Sequence, residues 1–565
     1  MQYRDHIGRS YIVTNGFFSR DFMSDVFLRR SSGVIRAWSP LSGSLYAYLV
    51  CGGGLAVLPF FMMPAIAAFP GANMYLAITL LTVWISIRWV TYAMLMSAMP
   101  RSGGDYVFQS RLLSGGIGFT LCSQGEIWYQ PWWMYFGANT IVIAFVPQIL
   151  EFFGLTTGNS GLVDAGTALS NTNPWIIFVL SSIIVWGTIA IMLRGLKPYT
   201  IIQNYLMMPF TLAALVALVW VFISIPTQTF ITNFNAFQNV VSGNPDMYHT
   251  IINTANQLGY VANPAFSWYD TIALSISLYA YWTAMSWAMA LVGEIKGVQQ
   301  LKNSWNLLFG ATALLFVTHI IGYAWANDYM GEGFLKSFAY LGVFQPQALP
   351  AGSQWRAVFP LYATISNNPI VGIILAFAFV LGLFQGCFNA PLGASRMCLA
   401  QSFDRLVPSW VGSVNKRGST DKFLIFFGIV TTIIGIGFTG YPYIAGLINL
   451  ALLCQYISFS AAIAAGIIFP WRAKTLWEGS PGAKYTIAGL PAITVCGVAG
   501  IALDVVGVVF MLTNPNYGVI TQPLSTLIYA VALFIGSALW YMAAKAYRQR
   551  QGINVERAFR EVPPA

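Results

Sequence analysis

The sequence predicts an all-α, polytopic membrane protein of about twelve transmembrane helices. Of its 565 residues, 57% are hydrophobic and 8% are charged, and this charged share is about a third of that typical of soluble domains. Apolar runs recur along nearly the whole chain, each of the roughly 20 residues that a helix needs to cross a ~30 Å hydrocarbon core. Only helices and closed barrels satisfy their backbone in lipid, and the alternating pattern of barrel strands is absent.

Glycine, proline and charged residues separate these runs and set the predicted spans. The spans lie near 42–67, 74–98, 117–149, 174–193, 199–224, 267–292, 305–327, 367–390, 423–440, 442–469, 487–511 and 523–546. Three polar connections, 149–173, 225–267 and 327–369, exceed twenty residues. They are either lids over the external mouth or surface decoration.

The basic residues predict the orientation. With the N-terminus in the cytoplasm, 25 of the 28 Lys and Arg residues lie in cytoplasmic segments, leaving Lys336 and Arg356 outside and Arg88 within a span. An excess of cytoplasmic Lys and Arg is the normal topological signal. The sequence therefore predicts a multi-pass plasma-membrane protein with both termini in the cytoplasm. The formal charge of +10 follows this pattern, which argues against nucleic acid as a partner.

Several classes of chemistry lack their sequence signals. The six cysteines lie in or beside apolar segments and form no CxxC pair, so neither a disulfide nor a metal site is expected. The chain has three histidines and contains neither a GxxxxGK[ST] loop nor an HExxH motif. We therefore expect no cofactor, no ATP-driven pumping and no enzymatic activity.

The first predicted span carries Gly52, Gly53 and Gly54, followed by Pro59, close to the middle of the membrane. Each glycine costs a helix roughly 1 kcal/mol relative to alanine, and proline removes a further hydrogen bond. The pattern predicts a break in the helix. Either the unwound backbone binds the carboxylate and ammonium of a ligand, or the glycines form a small-residue stripe for close packing.

The sixth predicted span is unusually polar and aromatic at its centre. It carries Ser275, Ser277, Tyr279, Tyr281, Trp282, Thr283 and Ser286. These side chains either line a binding site opposite the first span or make ordinary interhelical hydrogen bonds.

Four motifs follow one another along the chain. They are Gly52-Gly53-Gly54 with Val57-Leu58-Pro59; Met99-Pro100-Arg101-Ser102-Gly103-Gly104-Asp105-Tyr106-Val107-Phe108; Gly293-Glu294-Ile295-Lys296; and Ala394-Ser395-Arg396 with Asp404-Arg405-Leu406-Val407-Pro408. Their order and content resemble the amino acid–polyamine–organocation transporters. The sequence is identified as a divergent member of their amino acid permease family.

This resemblance implies a 5+5 inverted repeat with discontinuous helices one and six, two additional helices and alternating access. It divides the chain into a cytoplasmic tail 1–40, a first five-helix repeat 41–225, an extracellular loop 226–266, a second five-helix repeat 267–469, two C-terminal helices 470–547 and a cytoplasmic tail 548–565.

The resemblance also implies a substrate site. The backbone around Gly52, Gly53 and Gly54 would hold the substrate carboxylate. The residues that would hold its ammonium and side chain are Tyr281, Trp282, Thr283 and Ala284.

Two positions depart from the family pattern. Proton-coupled members carry a lysine in span five, where counting on from Lys197 leads to Pro209 and Phe210. The family's Gly-Phe-Glu in span six is replaced by Ala284-Met285-Ser286.

Ionisable groups inside a span are functional candidates because their burial is costly. Arg88 lies twelve residues before Pro100 and Glu126 eleven after Gly115, which places both ~17 Å above the cytoplasmic side. We expect them to pair, either as a structural ion pair or with Glu126 as a proton carrier. His319 in span seven is either a packing residue or a titrating group. Asp504 in span eleven is expected in helix packing or in an oligomer contact.

The sequence thus favours a secondary active transporter, a permease that moves an amino acid or related amine across the lipid bilayer, either coupled to protons or by exchange. The alternative is a sensor or accessory membrane subunit built on the same scaffold. Assembly into an oligomer is left open.

Overall fold

The structure is a computed structural model. It describes residues 2–4, 10–12, 36–51, 55, 63–331, 333–350, 359–440, 448–514, 516 and 523–561.

The described chain is almost entirely helical. The helices of its first part are α1 Pro40–Leu49, α2 Met63–Ala68, α3 Met74–Ala98, α4 Gly104–Leu112, α5 Gly115–Cys122, α6 Gln130–Thr140, α7 Val146–Thr157, α8 Ser160–Ser170, α9 Pro174–Met192, α10 Leu196–Ile202, α11 Met208–Ser224, α12 Thr227–Ser242 and α13 Met247–Gln257. Those of its second part are α14 Trp268–Trp282, α15 Leu301–His319, α16 Ala326–Tyr329, α17 Phe334–Phe344, α18 Phe359–Ser366, α19 Pro369–Phe403, α20 Asp421–Gly440, α21 Ile448–Arg472, α22 Lys474–Glu478, α23 Ala492–Thr513 and α24 Pro523–Arg550.

Short segments of other geometry join these helices. The π-helical segments are Ser123–Ile127, Ile141–Phe145, Gln203–Met207 and Ile320–Trp325, and the 3₁₀ segments are Thr283–Glu294, Ser409–Gly412 and Val555–Arg560. Two small antiparallel hairpins pair β1 Gln2–Arg4 with β2 Ser10–Ile12 and β3 Thr486–Ile487 with β4 Leu490–Pro491.

Ten helical segments in the described part of the chain are long and apolar enough to cross a membrane. They are Met74–Ala98, Gly115–Thr157, Pro174–Met192, Leu196–Ser224, Leu301–Tyr329, Pro369–Phe403, Asp421–Gly440, Leu453–Arg472, Ala492–Thr513 and Ala530–Arg550. The prediction of an all-α, polytopic membrane fold is confirmed. The count of twelve stays a prediction, because the predicted spans near 42–67 and 267–292 correspond to shorter helices.

The predicted spans one and six share one property: each contains an α-helix that ends inside the predicted span. In span one, α1 ends at Leu49, and α2 begins at Met63. In span six, α14 ends at Trp282, and the chain continues as the 3₁₀ segment Thr283–Glu294. Hydrogen bonds therefore change there from an i→i+4 to an i→i+3 pattern.

The three long connections, which the sequence reading describes as polar loops, are largely helical. They contain α7 and α8, then α12 and α13, and finally α17 and α18. Two of these connections contact the end of predicted span one: the hydroxyl of Tyr260, which follows α13, donates to the Ala67 carbonyl at 3.1 Å, and Lys336 Nζ of α17 donates to the Pro70 carbonyl at 2.6 Å. The search for apolar runs misses such helices because their apolar residues occupy one face only.

Candidate functional site

The candidate site is the place where the interrupted ends of spans one and six meet. Cys51, just beyond the end of α1, is buried, and its thiol lies 3.8 Å from the carbonyl oxygen of Trp282, the last residue of α14. The ends of the two helices therefore lie side by side. Gly52, Gly53 and Gly54, the predicted carboxylate site, lie outside the described residues.

The predicted span-six residues lie at this junction. Tyr281 belongs to the last turn of α14, and Trp282 ends it with a fully buried indole. Thr283 is buried at the start of the 3₁₀ segment, and Ala284 is half-buried. The structure thus brings Trp282 next to Cys51 at the point where the helix geometry changes, and the other three residues are its neighbours along the chain.

His319 is the other side chain of this junction. Its Nε2 lies 3.1 Å from Nε1 of Trp282, and its Nδ1 lies 2.8 Å from the Leu315 carbonyl oxygen. Indole Nε1 can only donate, and a carbonyl can only accept. His319 is therefore neutral, with its proton on Nδ1, and both ring nitrogens have partners. Of the two sequence hypotheses, this geometry favours the packing residue.

A second contact joins spans one and seven at the same depth. The hydroxyls of Tyr48 and Thr318 are 2.8 Å apart, and Tyr48 is fully buried. Tyr46, on the other side of α1, donates to Asn389 of span eight. These bonds fix α1 against both of its neighbours.

The expected pairing of Arg88 with Glu126 is wrong. Arg88 pairs with Asp504 of α23, with Nη1 3.1 Å from Oδ1, and both side chains are buried. Tyr279 of α14 also donates to Asp504. Asp504 thus has the helix-packing role that the sequence allowed, between spans two, six and eleven.

Glu126 faces a different helix. It lies in the π segment Ser123–Ile127 and is fully buried, and its Oε1 accepts a hydrogen bond of 2.5 Å from the Ser458 hydroxyl of α21. A π segment inserts one extra residue into the helix, and such insertions are common at functional sites.

The sequence reading missed Asp105. This fully buried carboxylate is the second residue of α4 and interacts electrostatically with Glu126. A charged residue inside an otherwise apolar and glycine-rich motif, Gly103 to Phe108, was the available signal.

Three of the four sequence motifs meet at the end of the bundle where Trp38 and Glu561, near the two ends of the described chain, also lie. Arg396 donates from Nε and Nη2 to the two carboxylate oxygens of Glu294, at 2.6 and 3.0 Å, and both side chains are buried. Gly103 donates its backbone N–H to the Ala290 carbonyl at 2.8 Å. The motifs that flank spans two, six and eight thus form one closed contact, which we call the termini-side gate.

A second buried ion pair flanks this gate. Arg111 of α4 makes two hydrogen bonds to Asp404, of 2.6 and 2.7 Å, and the Tyr106 hydroxyl donates to the same carboxylate at 2.5 Å. A two-pronged guanidinium–carboxylate contact fixes geometry as well as charge. It ties α4 to the end of α19.

Among the described residues, no group of three or more His, Cys, Asp and Glu side chains could hold a metal ion. The described cysteines are free thiols, most of them buried.

Comparison with known proteins covers most of the chain. Residues 43–539 match the profile of a protein family described as "Amino acid permease". No curated protein sequence matches the chain. The matched region contains the junction of spans one and six, the buried charges and the termini-side gate, and it covers well over half of the 565 residues. The chain belongs to the amino acid permease family, a family of transporters and not of enzymes.

Proposed function

We propose that this protein is a secondary active transporter that moves an amino acid or a related amine across the membrane by alternating access. One observation carries the proposal beyond family membership: the α-helical parts of spans one and six stop next to each other, with the Cys51 thiol 3.8 Å from the Trp282 carbonyl. In transporters, backbone released at such helix ends binds substrate and coupling ions.

The chemistry of this junction suits an amino acid. The C-terminal end of α14 at Trp282 presents carbonyl oxygens with partial negative charge, which favours an ammonium group. Tyr281, Thr283 and Ala284 adjoin this end, and they are proposed to contact the ammonium and the side chain of the substrate. The backbone N–H groups of Gly52, Gly53 and Gly54 are proposed to bind the carboxylate, as in the family.

The proposed transport cycle uses a 5+5 inverted repeat, 41–225 and 267–469, followed by the two helices of 470–547. The bidentate contact between Glu294 and Arg396 is proposed to close one side of the protein, since it joins the segments that flank spans six and eight. Alternating access requires this contact to separate when the site opens to that side. We propose that this side faces the cytoplasm and that the tails 1–40 and 548–565 lie there. The loop 226–266 then lies outside the cell, and the protein resides in the plasma membrane.

Counterflow in proteoliposomes tests this function. Vesicles loaded with unlabelled amino acids, singly and as a pool, are diluted into the corresponding labelled amino acids, and uptake is compared with that of empty vesicles. A permease exchanges at least one of them. Absence of exchange by folded protein would overturn the proposal and support a non-transporting sensor or accessory subunit instead.

Thermal-shift measurements with the same amino acids locate the site, because a ligand that binds only the native state raises its stability. Gly53→Leu should abolish the shift by filling the proposed carboxylate site. Gly187→Leu is the matched control, since Gly187 is exposed on α9 and a Cβ there meets nothing within 4 Å. An unchanged shift in Gly53→Leu would place the site elsewhere.

A further inference from the structure

A group of buried oxygen atoms that accept no hydrogen bond within 3.5 Å from the described part of the chain lies between α4, the π segment Ser123–Ile127 and α21, with Tyr92 and Cys122 as the nearest weak donors. The group comprises both carboxylate oxygens of Asp105, Oε2 of Glu126, Oε1 of Gln109 and Oε1 of Gln124. All four side chains are 0% exposed. Because buried oxygens in proteins nearly always have a partner, this concentration of acceptors points to a ligand that supplies hydrogen.

One N–H of each glutamine amide donates to the backbone of α21. Gln109 Nε2 donates to the Ser458 carbonyl at 2.9 Å, and Gln124 Nε2 donates to the Cys454 carbonyl at 3.2 Å. The Ser458 hydroxyl donates to Glu126 Oε1. A Cβ on Gly125 would lie 2.6 Å from the Cys454 carbonyl, so the π segment is in close contact with α21. The acceptors are therefore held in place by a rigid contact.

The nearby cations are occupied by other carboxylates. Arg88 of α3 pairs with Asp504, and Arg111 of α4 pairs with Asp404. Arg88 also acts electrostatically on Asp105 and Glu126, but neither carboxylate forms an ion pair with it among the described residues, and each faces the other's charge in a buried site. Two carboxylates in such surroundings cannot both stay ionised, because burial and mutual repulsion each favour the neutral acid.

The other titratable groups around the pair are neutral in their ordinary state. Tyr92 of α3 faces Asp105, and its hydroxyl donates to the Phe459 carbonyl at 3.1 Å. Cys122 lies one helical turn before Glu126, and Cys454 lies on α21.

Burial raises the pKa of the Asp105 carboxyl, which lies between spans two and three, to about 8.

We propose that Asp105 and Glu126 together bind one exchangeable proton, and that this proton is the coupling ion of the transport cycle. The inference rests on the proposed function and adds its coupling site. When the site opens to water, a proton from the aqueous side adds to one carboxylate. When the site closes, the neutral acid donates a hydrogen bond to the neighbouring acceptors.

The position of Asp105 connects proton access to the termini-side gate. Gly103 and Gly104, which precede it, rest directly on the 3₁₀ segment Thr283–Glu294. Gly103 donates to the Ala290 carbonyl, and a Cβ on Gly104 would lie 2.3 Å from the Met289 carbonyl oxygen. Opening of the gate moves this segment away from α4 and thereby exposes the pair to water. Solute release and proton exchange then require the same movement.

Uptake in proteoliposomes tests the coupling. A pool of labelled amino acids is added to wild type, Asp105→Asn, Glu126→Gln and the control Glu478→Gln, whose carboxylate is exposed on α22. Each protein is measured by counterflow without a gradient and by accumulation driven by an inward proton gradient. We expect both variants to retain counterflow and to lose gradient-driven accumulation to the level of empty vesicles, while the control keeps both.

These measurements separate the two proposals. Absence of counterflow in wild type would overturn the proposed function. Counterflow without proton-driven accumulation in wild type, accumulation retained in both variants, or accumulation driven by sodium in place of protons would overturn the coupling site and leave the permease in place.

Infrared spectroscopy of the purified wild type tests the site without transport. A buried neutral carboxyl gives a carboxylic acid C=O band at neutral pH, and that band should disappear in the double variant Asp105→Asn/Glu126→Gln. Its absence from wild type would overturn the inference. This readout also holds if a single variant fails to reach the membrane.

Discussion

The indole Nε1 of Trp282 lies 3.1 Å from Nε2 of His319 and joins the end of the α-helical part of span six to span seven. Because Nδ1 of His319 faces the Leu315 carbonyl, the imidazole is held in one neutral tautomer. Protonation of Nε2 would place two donors against each other. This histidine therefore positions Trp282 and carries no second proton on Nε2 in this state of the protein.

Two substitutions test this relationship. Trp282→Phe removes the donor and leaves Nε2 of His319 buried without a partner, at a cost of about 1–3 kcal/mol. We expect a lower melting temperature in detergent. His319→Gln keeps an acceptor for the indole, so it should melt closer to wild type, and the pH profile of uptake should keep its shape. A pH profile that flattens in His319→Gln would identify this histidine as a titrating group.

The buried pair of Arg88 and Asp504 predicts a strong single-site effect. Asp504→Asn leaves a buried guanidinium without a counter-charge, which typically costs about 3–5 kcal/mol. The expected result is a large drop in melting temperature and in the yield of folded protein. Adding Arg88→Met should recover part of the loss, because the remaining groups are then neutral. No recovery in the double variant would mean that the two side chains do not act as a pair.

The Glu294–Arg396 contact makes a related prediction for the gate. Arg396→Met leaves Glu294 unpaired in the closed state and should weaken that state relative to open ones. Glu294→Gln in the same chain should reverse part of the effect. We would measure the thermal stability and the counterflow rate of both single variants and of the double variant. Additive effects would show that the buried contact does not hold the gate closed.

Gly104 is expected to tolerate no side chain. A Cβ there would lie 2.3 Å from the Met289 carbonyl oxygen, and overpacking of this kind typically costs about 1–3 kcal/mol. Gly104→Ala should lower the melting temperature by pushing α4 away from the 3₁₀ segment. Gly386→Ala is the control, because a Cβ on that glycine of α19 meets nothing within 4 Å. Equal melting temperatures in the two variants would contradict the close approach.

The spans could be predicted because a long apolar run is itself the physical requirement for crossing a bilayer. The partner of Arg88 could not. Counting residues places Arg88 and Glu126 at one depth but leaves the rotation of each helix free. The π segment Ser123–Ile127, which contains Glu126, also departs from the regular α-helical geometry that such counting assumes. In the structure Glu126 faces Ser458, and Asp504 of a distant segment supplies the counter-charge of Arg88.

The sequence motifs identify the family but do not predict which of their residues contact each other. The order of the motifs along the chain identified the family, yet it does not indicate that Glu294 of one motif binds Arg396 of another. Such contacts depend on how separate helices pack, which a single sequence does not encode in any local pattern. Asp105 is different: its charge inside an apolar, glycine-rich motif is a local signal, but its interaction with Glu126 depends on helix packing.

The pKa of Asp105 predicts how stability depends on pH. Burial raises this pKa from its ordinary value of 3.8 to about 8, so between these values the folded protein holds a proton that the unfolded chain has released. The resulting stability is fully present below pH 3.8, decreases as pH rises and is lost above about 8. The loss of folding free energy approaches about 1.4 kcal/mol per pH unit for one proton.

The variant Asp105→Asn lacks this contribution. The melting temperature of wild type should therefore fall relative to the variant as the pH is raised from about 5 to 8, and the two curves should run parallel above that range. Parallel curves across the whole range would show that Asp105 ionises normally in the folded protein.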